Sequence, residues 1–97
     1  MTKQEHIDQA IDSMSEIPSS TRVRGWSFSF VDKYYVVLNF WMTPMGEHVG
    51  VYEANKKGKK LNNNSIVLLQ NCKDPVKGIE ALADLLIKEE TETITNS

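Results

Sequence analysis

A chain of 97 residues, 40% hydrophobic and 25% charged, is long enough for one modest domain with its own core. The net charge of −2 excludes a strongly basic protein, and the single cysteine excludes an intrachain disulfide and favours a reducing, cytoplasmic compartment. The polar N-terminus and the lack of an apolar run of about 18 residues predict neither a signal peptide nor a transmembrane helix.

Charge is distributed unevenly along the chain. Residues 21–64 carry seven cations against three acids, or +4, whereas residues 1–20 and 65–97 each carry −3. Local asymmetry of this kind matters more for the choice of partner than the net charge does. The segments of the predicted sheet are therefore basic, and the helical segments on either side of them are acidic.

The first predicted element is a helix that begins at a capping box, Thr2-Lys3-Gln4-Glu5. Pro18-Ser19-Ser20 ends the segment and predicts a loop. Apolar residues between them recur at i, i+3, i+4 and i+7, which makes one stripe of Ile7, Ala10, Ile11 and Met14. This stripe indicates a helix that covers part of a sheet.

Residues 22–47 hold both tryptophans and all three phenylalanines, and they predict two β-strands joined by a two-residue turn at Asp32-Lys33. Alternation divides their side chains between two faces. One face is aromatic and carries Arg24, Trp26, Phe28, Phe30, Tyr35, Val37, Asn39 and Trp41. The other sets small residues beside large ones: Gly25, Ser27, Ser29, Val31, Tyr34, Val36, Leu38 and Phe40. We expect both helices to pack into the trough on this second face, which leaves the aromatic face for a ligand or a second chain.

Two shorter segments complete the predicted sheet. Residues 48–54 alternate as a third strand, and the apolar run SIVLLQ at residues 65–70 predicts a fourth. The alternative for that run is a helical extension of the last segment. The sequence thus predicts an α+β fold with a four-stranded antiparallel meander in the order α-β-β-β-β-α.

The C-terminal helix is predicted to begin at Asp74-Pro75, with Asp as N-cap and Pro at the first helical position. It should end near Glu89 or Glu90. Residues 1–90 are therefore expected to form a single α+β domain, and residues 91–97 a flexible polar tail.

The sequence contains no catalytic or metal-binding signature. The two histidines, His6 and His48, lie in unlike contexts, and no Cys-x-x-Cys or His-x-x-x-His spacing occurs. No base is indicated beside Cys72, so a structural thiol is the favoured interpretation. We therefore expect neither enzymatic activity nor a bound metal or cofactor.

Two features together favour a nucleic-acid-binding domain that prefers single strands. A basic loop surrounds Gly58, and its lysines could contact phosphates. Rings on a sheet face could stack bases, and each stacked base contributes about 1–3 kcal/mol to the binding free energy. Taken alone, a lysine cluster is also typical of a solvated turn, and aromatic residues at period two are typical of a core. The predicted site residues are Arg22, Arg24, Trp26, Phe28, Trp41, Lys56, Lys57, Lys59 and Lys60.

The stretch Phe40-Trp41-Met42-Thr43-Pro44-Met45-Gly46-Glu47 resembles the strand end and turn of transcriptional coactivators of the positive-cofactor-four type, which show an aromatic-Trp-Met-x-Pro-x-Gly-Glu pattern. Residues 56–61 resemble the basic segment that follows in that family, and residues 74–90 its C-terminal helix. The resemblance, loosely over residues 22–90, implies a curved four-stranded sheet, a homodimer and binding of single-stranded DNA. The N-terminal helix, the longer loop and the run at residues 65–70 depart from the family plan.

The alternative hypothesis is a protein-interaction module, such as a small inhibitor or adaptor encoded by a phage or mobile element that binds a host protein. Its aromatic face would anchor the partner, since Trp and Tyr are enriched at binding hot spots. A homodimer is expected if that face is not covered within one chain, because large exposed apolar patches are rare on monomers.

Overall fold

The computed structural model describes residues 2–20, 22–41, 43–44 and 46–87. Its elements are α1 (Lys3–Ser13), β1 (Ser15–Ser20), β2 (Val23–Phe30), β3 (Lys33–Phe40), β4 (His48–Glu53), β5 (Val67–Gln70) and α2 (Pro75–Leu86). The strands form one antiparallel sheet in the order β1-β2-β3-β4-β5. The predicted α+β fold with a helix at each end of an antiparallel sheet is confirmed, but the sheet has five strands instead of four.

The additional strand is β1, in the segment after the first helix where a loop was predicted. Glu16 pairs with Trp26, and Ile17 pairs with Gly25. Pro18 and an irregular register are tolerated because β1 is an edge strand, which is paired on only one of its two sides. Pro18 therefore does not end the regular structure, and the prediction of a loop is wrong here.

The turn between β2 and β3 lies one residue earlier than predicted, at Val31-Asp32, whose φ angles are +47° and +65°. Phe30 pairs with Lys33, whereas the predicted turn opposed Val31 to Tyr34. The register is therefore displaced by two residues. Because side chains alternate at period two, each residue keeps its predicted face despite the displacement.

Both helices pack on the aromatic face of the sheet, so the prediction that they pack beside Leu38 and Phe40 is wrong. The main core joins residues of the two helices to alternate residues of the strands: Ile7, Ala10, Ile79, Leu82, Ala83, Phe28, Phe30, Tyr35, Val37, Val49, Val51 and Val67. The physical reason is area, since aromatic rings offer more apolar surface to bury than glycine and serine do.

Helix α2 approaches the sheet closely at Gly78. A Cβ atom there would lie 2.9 Å from Val49 Cγ1, 3.1 Å from Val37 Cγ2 and 3.2 Å from Val51 Cγ2. The missing side chain thus lets the helix backbone sit on a row of valines. Lys3 of α1 pairs with Asp84 of α2, which ties the two helices to each other.

The predicted helix starts are confirmed. The Thr2 hydroxyl accepts a hydrogen bond from the Glu5 N–H at 3.2 Å, and the Glu5 carboxylate accepts one from the Thr2 N–H at 3.0 Å. These bonds stabilise the charged carboxylate and lower the pKa of Glu5 below its ordinary value. Asp74 caps α2 by accepting from the Val76 N–H at 3.0 Å.

Helix α2 is described to Leu86, with Ile87 as its C-cap. Its predicted end near Glu89 or Glu90 and the predicted tail at residues 91–97 lie outside the described residues. Neither described helix is long and apolar enough to cross a lipid bilayer.

Candidate functional site

The side of the sheet opposite the helices is called the helix-free face. Alternation along the paired strands gives it the side chains of Ser15, Ile17, Val23, Gly25, Ser27, Ser29, Tyr34, Val36, Leu38, Phe40, His48, Gly50, Tyr52, Leu68 and Gln70. A small second cluster of Val36, Tyr52 and Ala54 is buried here, with Ile17, Leu38 and Phe40 packed against it. This face is therefore partly apolar, yet no described helix covers it.

The trough beside Gly25 is filled by side chains from the flanking strands. A Cβ atom on Gly25 would lie 2.7 Å from Leu38 Cδ2 and 2.9 Å from Ile17 Cδ1. Ile17 of β1 and Leu38 of β3 thus meet across β2. No room remains in this trough for the helix that the sequence pattern predicted there.

A loop at residues 55–60, called the lysine loop, is closed by hydrogen bonds to and from Asn55. The Asn55 N–H donates to the Lys59 carbonyl at 2.9 Å, and the Gly58 N–H donates to the Asn55 carbonyl at 2.9 Å. The Asn55 side-chain oxygen accepts from the N–H groups of Lys57 at 2.9 Å and Lys59 at 3.0 Å. The loop therefore has a defined backbone shape, and its four lysines follow one another within five residues.

The lysine loop is folded back onto the helix-free face. Gly58 has a φ of +82°, and a Cβ atom on it would lie 3.0 Å from Ser27 Cβ and 3.5 Å from Ile17 Cγ2. Positive φ is a conformation that glycine adopts at no steric cost. Gly58 is thus the point at which the loop rests on β1 and β2.

The loop returns to the sheet beside Tyr52. Lys60 Nζ lies 4.7 Å from the centroid of the Tyr52 ring, a cation–π geometry. That ring in turn covers Gly50, where a Cβ atom would lie 3.0 Å from Tyr52 Cε1. Burial raises the pKa of the Tyr52 hydroxyl above its ordinary value, so the ring stays neutral under the lysine.

A pocket of about 210 Å³ lies between the lysine loop and the sheet. It is lined by Ser13, Ser27, Phe28, Ser29, Tyr34, Asn55 and Lys56. The Ser13 and Ser27 hydroxyls donate to the carbonyls of Ala10 at 2.7 Å and Ser15 at 3.4 Å. The hydroxyls of Ser29 and Tyr34, the Asn55 amide and the Lys56 ammonium group are the donors that can turn to a ligand. The pocket therefore has the chemistry to receive an anion such as a phosphate.

Aromatic rings accompany these donors on the helix-free face. Tyr34 is 44% exposed, and Phe40 and His48 are half-buried. The Phe40 and His48 rings stack with centroids 4.8 Å apart and planes 16° apart. Exposed ring surface and cations thus occur on one side of the molecule.

The predicted site residues are divided between two regions. Lys56, Lys57, Lys59 and Lys60 all lie in the loop on the helix-free face. Phe28 is only 2% exposed and stacks on Tyr35 in the core, with ring centroids 5.6 Å apart. Its ring is therefore closed to a nucleic-acid base by the helices above it.

The remaining predicted residues lie elsewhere. Arg24 and Trp26 belong to the opposite side of β2, where the guanidinium carbon lies 5.1 Å from the ring centroid and Glu16 pairs with the same arginine at 3.0 Å. The backbone N–H of Trp41 donates to the Arg22 carbonyl at 3.0 Å, between the end of β3 and the start of β2. Arg24 and Trp26 therefore face away from the lysine loop.

Sequence reasoning missed Tyr34, Phe40, His48 and Tyr52 as candidate binding residues. Alternation had already placed Tyr34 and Phe40 on one face, and the missing step was which face the helices would cover. The larger apolar area of the aromatic face was the signal that could have decided it.

Among the described residues, no three His, Cys, Asp or Glu side chains come together as a metal site. Cys72 is half-buried, and its Sγ lies 3.7 Å from the Asp74 carbonyl oxygen. The chain matches no protein-family model, no curated protein and no solved structure. The resemblance at residues 40–47 stays a prediction, and the geometry of the helix-free face is the basis for a functional proposal.

Proposed function

We propose that this protein binds single-stranded nucleic acid across its helix-free face and catalyses no reaction. The observation that carries the proposal is the lysine loop folded onto a sheet face with accessible rings. Proteins that bind single strands combine a basic track for the phosphates with rings on which bases stack. A sheet with its helices on one side and rings on the other is also a known platform for unpaired RNA bases.

The chemistry of the face suggests a role for each group. Lys56, Lys57 and Lys59 are exposed and can follow the phosphate backbone, and the pocket beside Lys56 can take one phosphate. Tyr34 and the Phe40 ring can each stack a base, at about 1–3 kcal/mol per base. These contacts read charge and ring faces instead of base edges, so we expect little sequence preference.

Duplexes should bind more weakly than single strands. Their bases are already stacked on one another, so a duplex reaches the protein only through its phosphates. Without base stacking on the rings, the part of the binding energy that does not depend on salt is missing. A preference for single strands is therefore the signature that separates this site from a nonspecific basic patch.

The test is a titration of fluorescein-labelled oligo(dT), oligo(U) and duplex DNA followed by anisotropy at low and moderate salt. Labelled strands are preferable to tryptophan emission, because neither tryptophan belongs to the strand positions of the helix-free face. Single strands should bind, and their affinity should fall as salt rises. The salt slope is the change in the logarithm of the association constant per unit change in the logarithm of the salt concentration. Tyr34→Ala should weaken binding without changing this slope.

Two variants of equal charge give the matched comparison. The first replaces Lys56, Lys57 and Lys59 with alanine. The second replaces three exposed lysines outside the loop with alanine: Lys33, Lys73 and Lys77. Only the first should lower the salt slope, by about 0.7 for each phosphate that is no longer neutralised by a lysine. Equal reductions in both variants, or no binding of any strand at low salt, would show that the lysine loop is not a binding site.

A second candidate function is the protein-interaction module, and a groove at the β2–β3 turn favours it. The groove has a volume of about 290 Å³ and is lined by His6, Phe30, Val31, Lys33, Tyr35, Leu86 and Ile87. Val31 and Leu86 are exposed apolar residues at its rim. An apolar side chain of a protein partner could fill it. If no nucleic acid binds, a pull-down from the native host with wild-type protein and Val31→Asp tests this groove.

A homodimer of this protein would have to use a surface other than the aromatic face. The aromatic face was expected to require a second chain, but α1 and α2 cover it within one chain. A dimer therefore stays a prediction, and any interface has to lie on another part of the molecule.

A further inference from the structure

The two edges of the sheet differ in how well they could accept another strand. Edge strand β1 carries Glu16, Pro18 and an irregular register, features that discourage pairing with a further strand. Edge strand β5 contains neither proline nor charge, and it pairs regularly with β4 over all four of its residues. Within the described chain, the backbone hydrogen bonds of residues 67–70 join β5 to β4 alone.

Strand β5 lies in a neutral segment, since residues 61–72 carry no charged side chain. Leu68 on this strand is 44% exposed on the helix-free face. In a dimer with a two-fold axis, residues near the axis meet their own copies, so any charge there would oppose a like charge. A neutral, apolar edge therefore suits a second copy of the same chain better than a charged peptide.

We propose that β5 pairs antiparallel with β5 of a second copy and joins two sheets into one continuous sheet. Directly opposed residues in an antiparallel pair lie on the same face. An axis through Leu68 satisfies this condition, because it opposes Leu68 to its own copy on the helix-free face. On the other face the same axis opposes Val67 to Leu69 of the second copy. Gln70 is opposed to Ile66 of the second copy, the residue just before the strand.

The pairing places both helix-free faces on one side of the joined sheet, because the axis is perpendicular to the sheet. It does not depend on nucleic-acid binding, since it uses the edge of the sheet and leaves the lysine loop untouched. Four strand residues on each side bury less than the roughly 800 Å² per partner of a standard interface. We therefore expect a reversible dimer with a dissociation constant in the micromolar range.

The first test is sedimentation velocity of the full chain from low to high micromolar concentration, which should show the 11.0 kDa monomer giving way to a dimer. Leu68→Lys places two ammonium groups face to face at the axis and should raise the dissociation constant at least about tenfold. The control is Leu85→Lys on α2, where the leucine is 52% exposed and the dimer should be unchanged. Circular dichroism checks that both variants fold.

The second test is a cross-link that works even if Leu68→Lys fails to fold. In a Cys72→Ser background, Leu68→Cys puts two thiols on opposed residues whose Cβ atoms are about 4.5–5.5 Å apart, which a disulfide can bridge after a small adjustment. Copper–phenanthroline with dissolved oxygen should take one electron and one proton from each thiol and give a covalent dimer. Leu85→Cys in the same background should stay monomeric on denaturing gels.

A concentration-dependent dimer that Leu68→Lys dissociates, or a Leu68→Cys cross-link absent from Leu85→Cys, supports the pairing. A monomer at every concentration that gives no such cross-link overturns it. A dimer that tolerates Leu68→Lys and is not cross-linked through Leu68→Cys overturns it as well. None of these results depends on oligonucleotide affinity, so failure of the pairing is distinguishable from failure of the proposed binding site.

Discussion

The two faces of the sheet are made by the same alternating strands and yet have different surroundings. On the helix-covered face, Phe30, Val37 and Leu82 are completely or almost completely buried. On the helix-free face, Tyr34 is exposed, and the small side chain of Ser27 lies beneath Gly58 of the lysine loop. The difference follows from area, because burial stabilises in proportion to the apolar surface removed from water. The aromatic face is therefore the one that the helices cover, and the lysine loop lies on the face with the small residues.

The largest expected effect is the loss of stability when a buried side chain on the helix-covered face is shortened. Leu82→Ala removes a fully buried side chain between α2 and the sheet, and it should lower the free energy of unfolding by about 2–5 kcal/mol. Leu85→Ala, on the exposed side of the same helix, should change it by less than about 0.5 kcal/mol. Urea unfolding measures both. Equal costs would mean that α2 does not bury Leu82 on the sheet.

The affinity of the same Leu82→Ala variant for single strands tests whether the two faces are independent. At a temperature where Leu82→Ala is folded, its affinity for oligo(dT) should match that of the wild type, because the substitution lies on the far side of the sheet from the lysine loop. Weakened binding by a folded Leu82→Ala protein would show that the two faces are coupled.

The next effect concerns how the lysine loop rests on the helix-free face. Gly58 and Gly46 both have a φ of +82°, so alanine at either position costs about 1–2 kcal/mol of backbone strain. A Cβ atom on Gly58 would also press on Ser27 at 3.0 Å, whereas among the described residues the nearest atom to a Cβ on Gly46 is Asn71 Oδ1 at 3.9 Å. Gly58→Ala should therefore destabilise the protein more than Gly46→Ala does, as measured by thermal unfolding.

The same pair of variants separates the loop from the rest of the surface. Only Gly58→Ala should lower the affinity for single strands, because it lifts the lysines from the face that holds the rings. If both variants bind as the wild type does, the position of the loop on the sheet has no role in binding.

A smaller effect on stability is expected at the turn between β2 and β3, which determines the register of these two strands. Val31 has a φ of +47°, which is unfavourable for a β-branched residue and favourable for asparagine in a turn of this kind. Val31→Asn should therefore raise the free energy of unfolding by about 1 kcal/mol. The control is Asp32→Asn, since both residues tolerate the neighbouring φ of +65° and the change should be close to neutral. A decrease in the stability of Val31→Asn would mean that the valine side chain contributes more than its backbone strain costs.

Local features of the chain were predictable from the sequence, because the residues that determine them are adjacent. The Thr2 capping box, the Asp74 cap and the alternation of residues 23–40 all depend on neighbours within a few positions. The turn was predicted one residue late because a tight turn at Val31-Asp32 requires an unfavourable φ for valine. The pairing of β2 with β3 on either side of the turn holds that conformation.

Long-range features were not predictable in the same way. The strand identity of residues 15–20 depends on the free edge of β2, which no local pattern in SEIPSS reveals. The face that the helices cover depends on which of the two faces has more apolar area to bury. Because the wrong face was chosen from the sequence alone, Phe28 was predicted as a site residue, whereas it lies in the core. The lysine cluster could be predicted, since it is contiguous in sequence. Its companions Tyr34, Phe40 and Tyr52 could be recognised only after the helices had been placed.

Tyr35 and Tyr52 provide the finest comparison, because one ring lies on each face of the sheet. Burial raises the pKa of both hydroxyls above the ordinary value of about 10, and the charge of Glu53 raises that of Tyr35 further. Since each folded-state pKa exceeds the unfolded one, this part of the stability is complete below about pH 10 and is lost as the pH rises through the folded-state values. Tyr35→Phe and Tyr52→Phe should each flatten the alkaline decline in the free energy of unfolding, measured with urea between about pH 8 and 11. An unchanged decline in Tyr52→Phe beside a flattened one in Tyr35→Phe would mean that water reaches the Tyr52 hydroxyl, and that the ring beneath Lys60 is more open than the packing of this face implies.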